Sequence, residues 1–141
     1  MELPDELAGL TPEEVLAFLR EAGDDEIRDR VHGIGTATVL GLVFDGWAAR
    51  VTATGLAPGL LLFALDDDGR EHRHALELGP TGAQHRAEPG DPPRATLRTT
   101  LVRFLRVAAG AQDPKRLVLT GRLRLGGDVV WAVTSLAGLQ R

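Results

Sequence analysis

The hydrophobic pattern of the chain changes its period once, near residue 55, and this change restricts the fold more than any other feature. Before it, apolar side chains recur at the i, i+3, i+4, i+7 spacing of one helix face: Leu40, Val43, Phe44, Trp47 and Val51. After it, Leu60–Leu65 is apolar without interruption, as in a strand that is covered on both faces. The chain therefore predicts an α+β domain, in which helices pack against a sheet.

Turn and cap signals divide the rest of the chain into shorter elements. Helices are predicted over residues 12–22, 24–33 and 36–51. The residues Asp66-Asp67-Asp68-Gly69 are typical of a hairpin turn. The other predicted elements are strands at 70–78, 83–88, 95–100 and 122–125, a helix at 101–109 and a last helix from Val129 to about Leu139. Together they indicate about five strands in a mainly antiparallel sheet, covered on one face by helices, with extra N-terminal helices.

Length and composition favour one domain and exclude several classes of site. The 141 residues are 43% hydrophobic and 26% charged, which is ordinary for a folded domain. The chain has no cysteine, so disulfides, thiolate metal sites and cysteine nucleophiles are excluded. The longest nearly apolar run, Gly59–Leu65, is far shorter than the roughly 20 residues of a membrane-spanning helix. No secretory signal pattern is visible, and we expect a cytoplasmic protein.

Charge is distributed unevenly along the chain. Residues 1–29 contain ten acids and two bases, whereas residues 94–124 contain eight bases and one acid, Asp113. The second balance favours anionic partners, such as acidic membranes or the phosphates of a coenzyme A ester. The candidate contacts are Arg98, Arg103, Arg106, Arg122 and Arg124. The alternative is that these side chains are only a solvated face.

With four Phe, two Trp and no Tyr, the chain lacks side chains for base stacking, and we predict no nucleic-acid partner.

Histidines and the single serine are the candidates for chemistry. His72 and His74 lie two apart on a predicted strand, hence on one face, and His85 can lie opposite them on the next strand. Zinc accepts such ligands. The alternative is a solvated strand face, and because no carboxylate lies at motif spacing we predict no bound metal ion. Ser135 lacks a nucleophile-elbow motif, so we expect its hydroxyl to bond its own helix backbone. We predict no catalytic residues.

Three segments resemble the sterol carrier protein-2 sterol-binding family. Lys115–Val129 resembles the family's C-terminal signature, in which Gly, alternating basic and apolar residues and a Gly-Asp pair precede an apolar helix. Leu40–Arg50 is similar to its helix with Val-Phe, Gly and Arg at fixed spacing, and Ala95–Thr100 is similar to its fourth strand. The resemblance covers roughly Thr36 to Gly138, with the three segments in the family's order.

The resemblance implies a five-stranded sheet with helices over one face and an apolar cavity between them. It divides the chain into an N-terminal helical extension, residues 1–23, and a sterol-carrier-like domain, residues 24–141. It also implies that the terminal helix lies near the mouth of the cavity. From the resemblance and the periodicity together, the expected cavity lining is Val43, Phe44, Trp47, Phe63, Leu101, Phe104, Leu105, Val130, Val133 and Leu136.

The function that follows is a non-catalytic lipid-binding or carrier domain, without a cofactor. Its ligand would be a sterol, a fatty acyl chain, an acyl-CoA or an isoprenoid, and acidic membranes would be peripheral partners. Two alternatives stay open. The first is an interaction or scaffold module with a filled core. The second, which the sequence supports least, is an enzyme that uses the three histidines. The sequence does not indicate an oligomeric state.

Overall fold

The computed structural model describes residues 12–50, 58–79, 82–86 and 92–139. Within these ranges the helices are α1 (Pro12–Glu21), α2 (Asp24–Ile34), α3 (Thr36–Arg50), α4 (Leu101–Ala108), α5 (Pro114–Leu119) and α6 (Val129–Leu139). The strands are β1 (Gly59–Asp67), β2 (Arg70–Gly79), β3 (Gly82–Arg86), β4 (Ala95–Thr100) and β5 (Arg124–Gly127). The ends of the predicted third helix and third strand, Val51 and Glu88, lie outside the described residues. Among the described helices, none is long and apolar enough to cross a membrane.

The five strands form one sheet in the order β3-β2-β1-β4-β5. The β1 and β4 strands run parallel, and the other neighbouring pairs are antiparallel. Helices α3, α4 and α6 pack against different parts of the sheet: α3 against β2 and β3, α4 against β1 and β4, and α6 against β4 and β5. The predicted α+β fold, with a mainly antiparallel sheet of five strands, is confirmed.

Strand β1 is the centre of the sheet, and its side chains are buried on both sides. Leu61, Phe63 and Leu65 face the helices and are fully buried. Ala64 points to the opposite side and is also buried. The register places Arg73 of β2 and Arg98 of β4 on either side of Ala64. The aliphatic stems of arginines can cover apolar surface while their guanidinium groups stay in water. The stems of Arg73 and Arg98 therefore account for the burial of Ala64 on the side of β1 that faces away from the helices.

The β1–β2 hairpin has the turn that the sequence predicts. Asp68 and Gly69 both have positive φ angles, 52° and 88°, as a two-residue hairpin turn with matching twist requires. The Asp66 carboxylate accepts a hydrogen bond from the Gly69 backbone N–H at 3.2 Å. Asp67 is the last residue of β1 rather than part of the turn, and this position directs its side chain toward the helices.

Two elements near the C-terminus differ from the prediction. Helix α5 was not predicted, because six residues are too few to show a helical period. Its start is nevertheless marked by Pro114 and by Asp113, whose carboxylate accepts a hydrogen bond from the Lys115 backbone N–H at 3.0 Å. Strand β5 begins at Arg124 and includes Gly126 and Gly127, which were expected to form a turn. Gly127 has φ 77°, and an added Cβ would lie 2.5 Å from the Arg94 carbonyl oxygen.

Side-chain hydrogen bonds join the α1 region to α4 in both directions. The Arg20 guanidinium donates hydrogen bonds of 3.2 and 3.1 Å to the Ala109 carbonyl, at the end of α4. In return, Arg106 of α4 donates to the carbonyls of Leu19 and Ala22. Residues 1–11 of the predicted N-terminal extension lie outside the described residues. The part from Pro12 onward packs as a component of the domain rather than as a separate arm.

Candidate ligand site

Four aromatic side chains meet between the sheet and helices α3 and α4. We call Phe44, Trp47, Phe63 and Phe104 the aromatic cluster; all four are buried. The ring centre of Phe44 is 5.0 Å from those of Phe63 and Phe104, and Trp47 lies 5.6 Å from Phe104. These are contact distances for aromatic pairs. The rings therefore occupy the region at which the sequence placed the centre of a cavity.

The other residues of the expected lining are distributed from the core to the surface. Leu101, Leu105 and Leu136 are buried, and Val43 and Val133 are half-buried. Val130 is 79% exposed, in the first turn of α6. The interior members lie in the same continuous core as the aromatic cluster. Val130 instead presents apolar surface to the outside at the start of the terminal helix.

The start of α6 is fixed by a junction of charged and aromatic groups. The Asp128 carboxylate accepts hydrogen bonds from the Trp131 backbone N–H at 3.0 Å and from Arg94 Nε at 3.1 Å. The Arg94 guanidinium also lies over the Trp131 ring, 5.1 Å from its centre. The backbone hydrogen bond from Trp131, followed by Arg94, lowers the pKa of Asp128 below its usual value. A Cβ added to Gly59 would come within 2.7 Å of Trp131, so β1 approaches this junction closely.

Ser135 presents a hydroxyl group to the interior from the middle of α6. The residue is fully buried, on the same side of the helix as Trp131, Ala132 and Leu136. Its Oγ has no hydrogen-bond partner within the described residues. The expectation that Ser135 bonds its own backbone is therefore wrong, although the neighbouring Thr134 does so, with Oγ1 2.9 Å from the Val130 carbonyl. A buried polar group without a partner costs about 1–3 kcal/mol.

The histidines form a hydrogen-bonded line on the helix side of the sheet. His74 Nδ1 lies 2.8 Å from His85 Nε2, and His85 Nδ1 lies 2.8 Å from the Asp45 carboxylate on α3. We call Asp45, His85 and His74 the histidine relay. As the sequence predicted, His74 and His85 face each other on adjacent strands. Their interpretation as a solvated strand face is wrong, because Phe44 stacks on both rings, at 4.9 and 5.2 Å.

Burial determines the protonation of the relay. It lowers the pKa of His74 to about 4, with smaller contributions in the same direction from His85 and His72 and an opposing one from Asp45. His74 is therefore neutral near pH 7. Both ring nitrogens of His85 are engaged by the relay. The relay therefore leaves neither nitrogen of His85 free for a metal ion, and the absence of a metal at His72, His74 and His85 stays a prediction. Sequence reasoning missed Asp45, because α3 brings it from 40 residues away.

The five candidate anion-binding arginines do not form one surface. Arg98 and Arg124 are paired in register on the side of the sheet away from the helices, and Arg98 also contacts Glu71 at 3.1 Å. Arg122 is exposed just before β5, and Arg103 is half-buried on α4. The Arg106 side chain is only 13% exposed and is bound to Asp24 and to carbonyls of the α1 region. Arg106 therefore stabilises the α1–α4 contact instead of facing an outside anion.

Comparison with known proteins gives a family match and a set of similar folds. A sequence profile of the SCP-2 sterol transfer family matches residues 54–138, which include all five strands, helices α4 and α5, and α6 up to its last residue. No curated protein sequence matches the chain.

Among solved structures, sterol carrier protein 2 like 2 from Aedes aegypti superposes with a TM-score of 0.58 at 15% identity, over 73% of this chain and 98% of that one. Its palmitated form in solution gives 0.57 at 14% identity, over 70% and 92%. The sec-alkylsulfatase Pisa1 from Pseudomonas sp. gives 0.56 at 21% identity, over 68% of this chain. This chain spans only 15% of the length of that sulfatase. At these identities the structural matches show a shared fold.

Proposed function

Because the chain belongs to the SCP-2 sterol transfer family, as a lipid-binding or transfer domain, we propose that it is a non-catalytic carrier of an apolar molecule with one polar end. A fatty acyl chain, a sterol, an acyl-CoA and an isoprenoid all fit this description. The apolar body lies between the sheet and the helices, beside the aromatic cluster and Leu136. Each buried CH₂ group of the ligand contributes about 0.8 kcal/mol to binding.

The observation that carries this proposal is the unpartnered hydroxyl of Ser135. A fully buried hydroxyl without a partner is destabilising, and a ligand with a polar end removes that cost by forming the missing hydrogen bond. Ser135 lies on the inner side of α6 with Trp131 and Leu136, both members of the continuous core. The polar end of the ligand therefore bonds Ser135 while its apolar part replaces water against the core.

Entry of the ligand requires α6 to move. The aromatic rings already fill the space between α3, α4 and the sheet. The start of α6 is held by Asp128, Arg94 and Trp131, whereas Val129 and Val130 present apolar surface to the outside. The helix can thus swing about this junction to open a path beside Ser135. The Aedes aegypti protein of the same fold has been solved in a palmitated form, which supports an acyl chain as the first ligand to test.

Energy transfer from tryptophan to a bound polyene fatty acid tests the proposal. Trp47 and Trp131 are both buried near the proposed site, so cis-parinaric acid bound there quenches their emission. We expect saturable binding to delipidated protein, reversed by palmitate. Ser135→Ala should weaken it about 5- to 10-fold, the equivalent of one hydrogen bond. The matched control, Thr134→Ala, should bind as the unaltered protein does. Absence of saturable quenching would reject the carrier function, and equal affinity of the two variants would reject the role of Ser135.

A second candidate function is an interaction module with a filled core. The direct contacts within the aromatic cluster favour it. The Phe44 ring packs directly against the rings of Phe63 and Phe104, with 5.0 Å between ring centres. Native mass spectrometry of the protein incubated with palmitate distinguishes the two functions. A carrier retains one acyl chain per protein, whereas a filled module retains none. An enzyme based on the histidines receives the least support, because Phe44 covers both rings of the His74–His85 pair.

Ligand exchange takes place, in this proposal, at an anionic membrane. Arg122 and Arg124 are exposed just before and at the start of β5, the strand that precedes α6 in the chain, and the first turn of α6 exposes Val129 and Val130. Basic side chains near the surface of acidic lipid bilayers contribute about 1 kcal/mol each. The pair Arg122→Gln and Arg124→Gln should therefore reduce sedimentation with phosphatidylserine vesicles at low salt. The control pair Arg28→Gln and Arg30→Gln on α2 has the same change of charge, and an equal loss in both pairs would contradict a local contact.

A further inference from the structure

A cleft separates the corner between α2 and α3 from the β1–β2 hairpin. Its volume is about 550 Å³. His32 lines it from α2, Asp67 and Asp68 from the hairpin, and His72 from β2. This cleft lies at the end of the sheet where the hairpin turns, away from the α6 junction. It has no part in the proposed lipid site.

Three side chains in the cleft place metal-binding atoms close together. His32 Nε2 lies 2.8 Å from an oxygen of the Asp67 carboxylate. One nitrogen or oxygen atom from each of His32, Asp67 and Asp68 falls within 4.8 Å of the other two. An imidazole with two carboxylates is a donor set that divalent transition metals accept.

A second observation points to a bound group in this cleft. The Asp67 side chain is only 8% exposed, and its Oδ1 is buried without a hydrogen-bond partner in the part of the chain that the structure describes. His72 Nε2 is likewise buried and unpartnered among those residues. Two unsatisfied groups from two strands therefore border the same space. Carboxylate oxygens and imidazole nitrogens are both metal ligands, whereas the Asp67 carboxylate would repel an anion.

The surrounding charges oppose a cation only weakly. Arg70 and the first turn of α3 border the cleft, and the positive end of that helix disfavours a metal ion. Arg28 approaches Asp68, but the distance is 3.8 Å and both side chains are well exposed. An exposed pair of this kind is worth little and can separate at small cost. The two carboxylates are the stronger local charges.

We propose that His32, Asp67 and Asp68 bind one Zn²⁺ ion in this cleft, which His72 also borders. The ion would join α2 to the hairpin, two segments that the chain separates by more than thirty residues. Sequence reasoning predicted no metal, and it read Asp67 and Asp68 only as turn residues. The fold changes that interpretation by turning Asp67 inward next to His32.

Titration of chelator-treated protein with ZnCl₂, followed by calorimetry and by the thermal midpoint, tests this site. We expect one ion per chain and a rise in the midpoint on binding. His32→Gln should weaken affinity by at least the roughly 10- to 100-fold that even outer partners of metal ligands contribute. His32 is partly exposed, so its replacement should leave the fold intact, which circular dichroism checks. Asp67→Asn tests whether the Asp67 carboxylate binds the ion, and circular dichroism checks that this variant is folded.

His85→Ala is the matched control, because it removes a histidine of the relay and none of the proposed donors. It should bind Zn²⁺ as the unaltered protein does. Absence of stoichiometric binding overturns the proposal. Loss of binding in His85→Ala with retention in His32→Gln also overturns it, since the ion would then lie on the relay. Unchanged affinity in His32→Gln also contradicts the site as stated.

Discussion

Buried polar groups are hydrogen-bonded at one end of the helix-covered face, whereas at the other end one has no partner among the described residues. Beneath α3, both nitrogens of His85 are hydrogen-bonded, to His74 and to Asp45, and Phe44 covers the rings. Beneath α6, the hydroxyl of Ser135 is equally enclosed but has no partner among the described residues. Since an unmade buried hydrogen bond costs more than a made one contributes, the first arrangement is complete in itself. The second lacks a hydrogen bond, which the proposed ligand would supply.

Buried polar residues that look alike in the sequence have different roles in the folded protein. A closed network such as the relay stabilises one packing of α3 on the sheet. A single unpartnered group marks a place where one further hydrogen bond would lower the free energy of the folded protein. Phe44 belongs to two regions, the relay and the aromatic cluster, because its ring stacks on the histidines and also contacts Phe104.

Removal of that shared ring should have the largest effect. Phe44→Ala is expected to lower the free energy of unfolding by about 3–5 kcal/mol, since a buried phenyl group is replaced by a cavity. Urea denaturation measures the change. Val43→Ala, at the half-buried neighbouring position, should cost much less. A loss in Phe44→Ala no larger than in the control would show that the two regions do not share a core.

The relay should weaken when its middle member is removed. His85→Ala leaves His74 Nδ1 and the Asp45 carboxylate without their partner, and we expect a loss of about 1–3 kcal/mol in the free energy of unfolding. Gln84→Ala, at an exposed position of the same strand, is the control for altering β3. Equal stability of the two variants would mean that the relay contributes nothing to the packing of α3.

Ser135→Ala should change stability in the opposite direction. In delipidated protein this substitution removes an unsatisfied hydroxyl and improves helix propensity, so the free energy of unfolding should rise by about 1 kcal/mol. Thr134→Ala should stay within roughly 0.5 kcal/mol of the unaltered protein, as exposed substitutions usually do. Thermal or urea denaturation gives both values. A destabilised Ser135→Ala protein would show that the hydroxyl does have a partner.

Acid should affect the relay in a predictable direction. The pKa of His74 is about 4 in the folded protein against a usual 6.5, so the unfolded chain binds its proton first as the pH falls. The His74 contribution to stability is therefore complete above about pH 6.5 and declines as the pH falls toward 4. His74→Gln should flatten this part of the curve of stability against pH. An equally steep curve would assign the effect to other groups.

The sequence allowed the fold to be predicted more fully than the site. The change of period near residue 55, the Asp-rich turn and the family resemblance define the sheet and the larger helices. The shared face of His74 and His85 followed from strand alternation. Asp45, in contrast, reaches His85 from another element, and no spacing rule connects the two. The state of Ser135 could not be predicted either, because Thr134 beside it bonds its backbone and Ser135 does not.

The parallel pairing of β1 with β4 sets an order on the folding of the chain. Strand β1 meets β2 across a two-residue turn, so that this hairpin closes with little loss of chain entropy. Its other neighbour comes from far along the chain, since Leu61 pairs with Ala95. Contacts between distant segments form slowly, because a long loop must close before they are made. We therefore expect the hairpin to form before β4 pairs with β1, and α6, which packs on β4 and β5, to dock after that pairing.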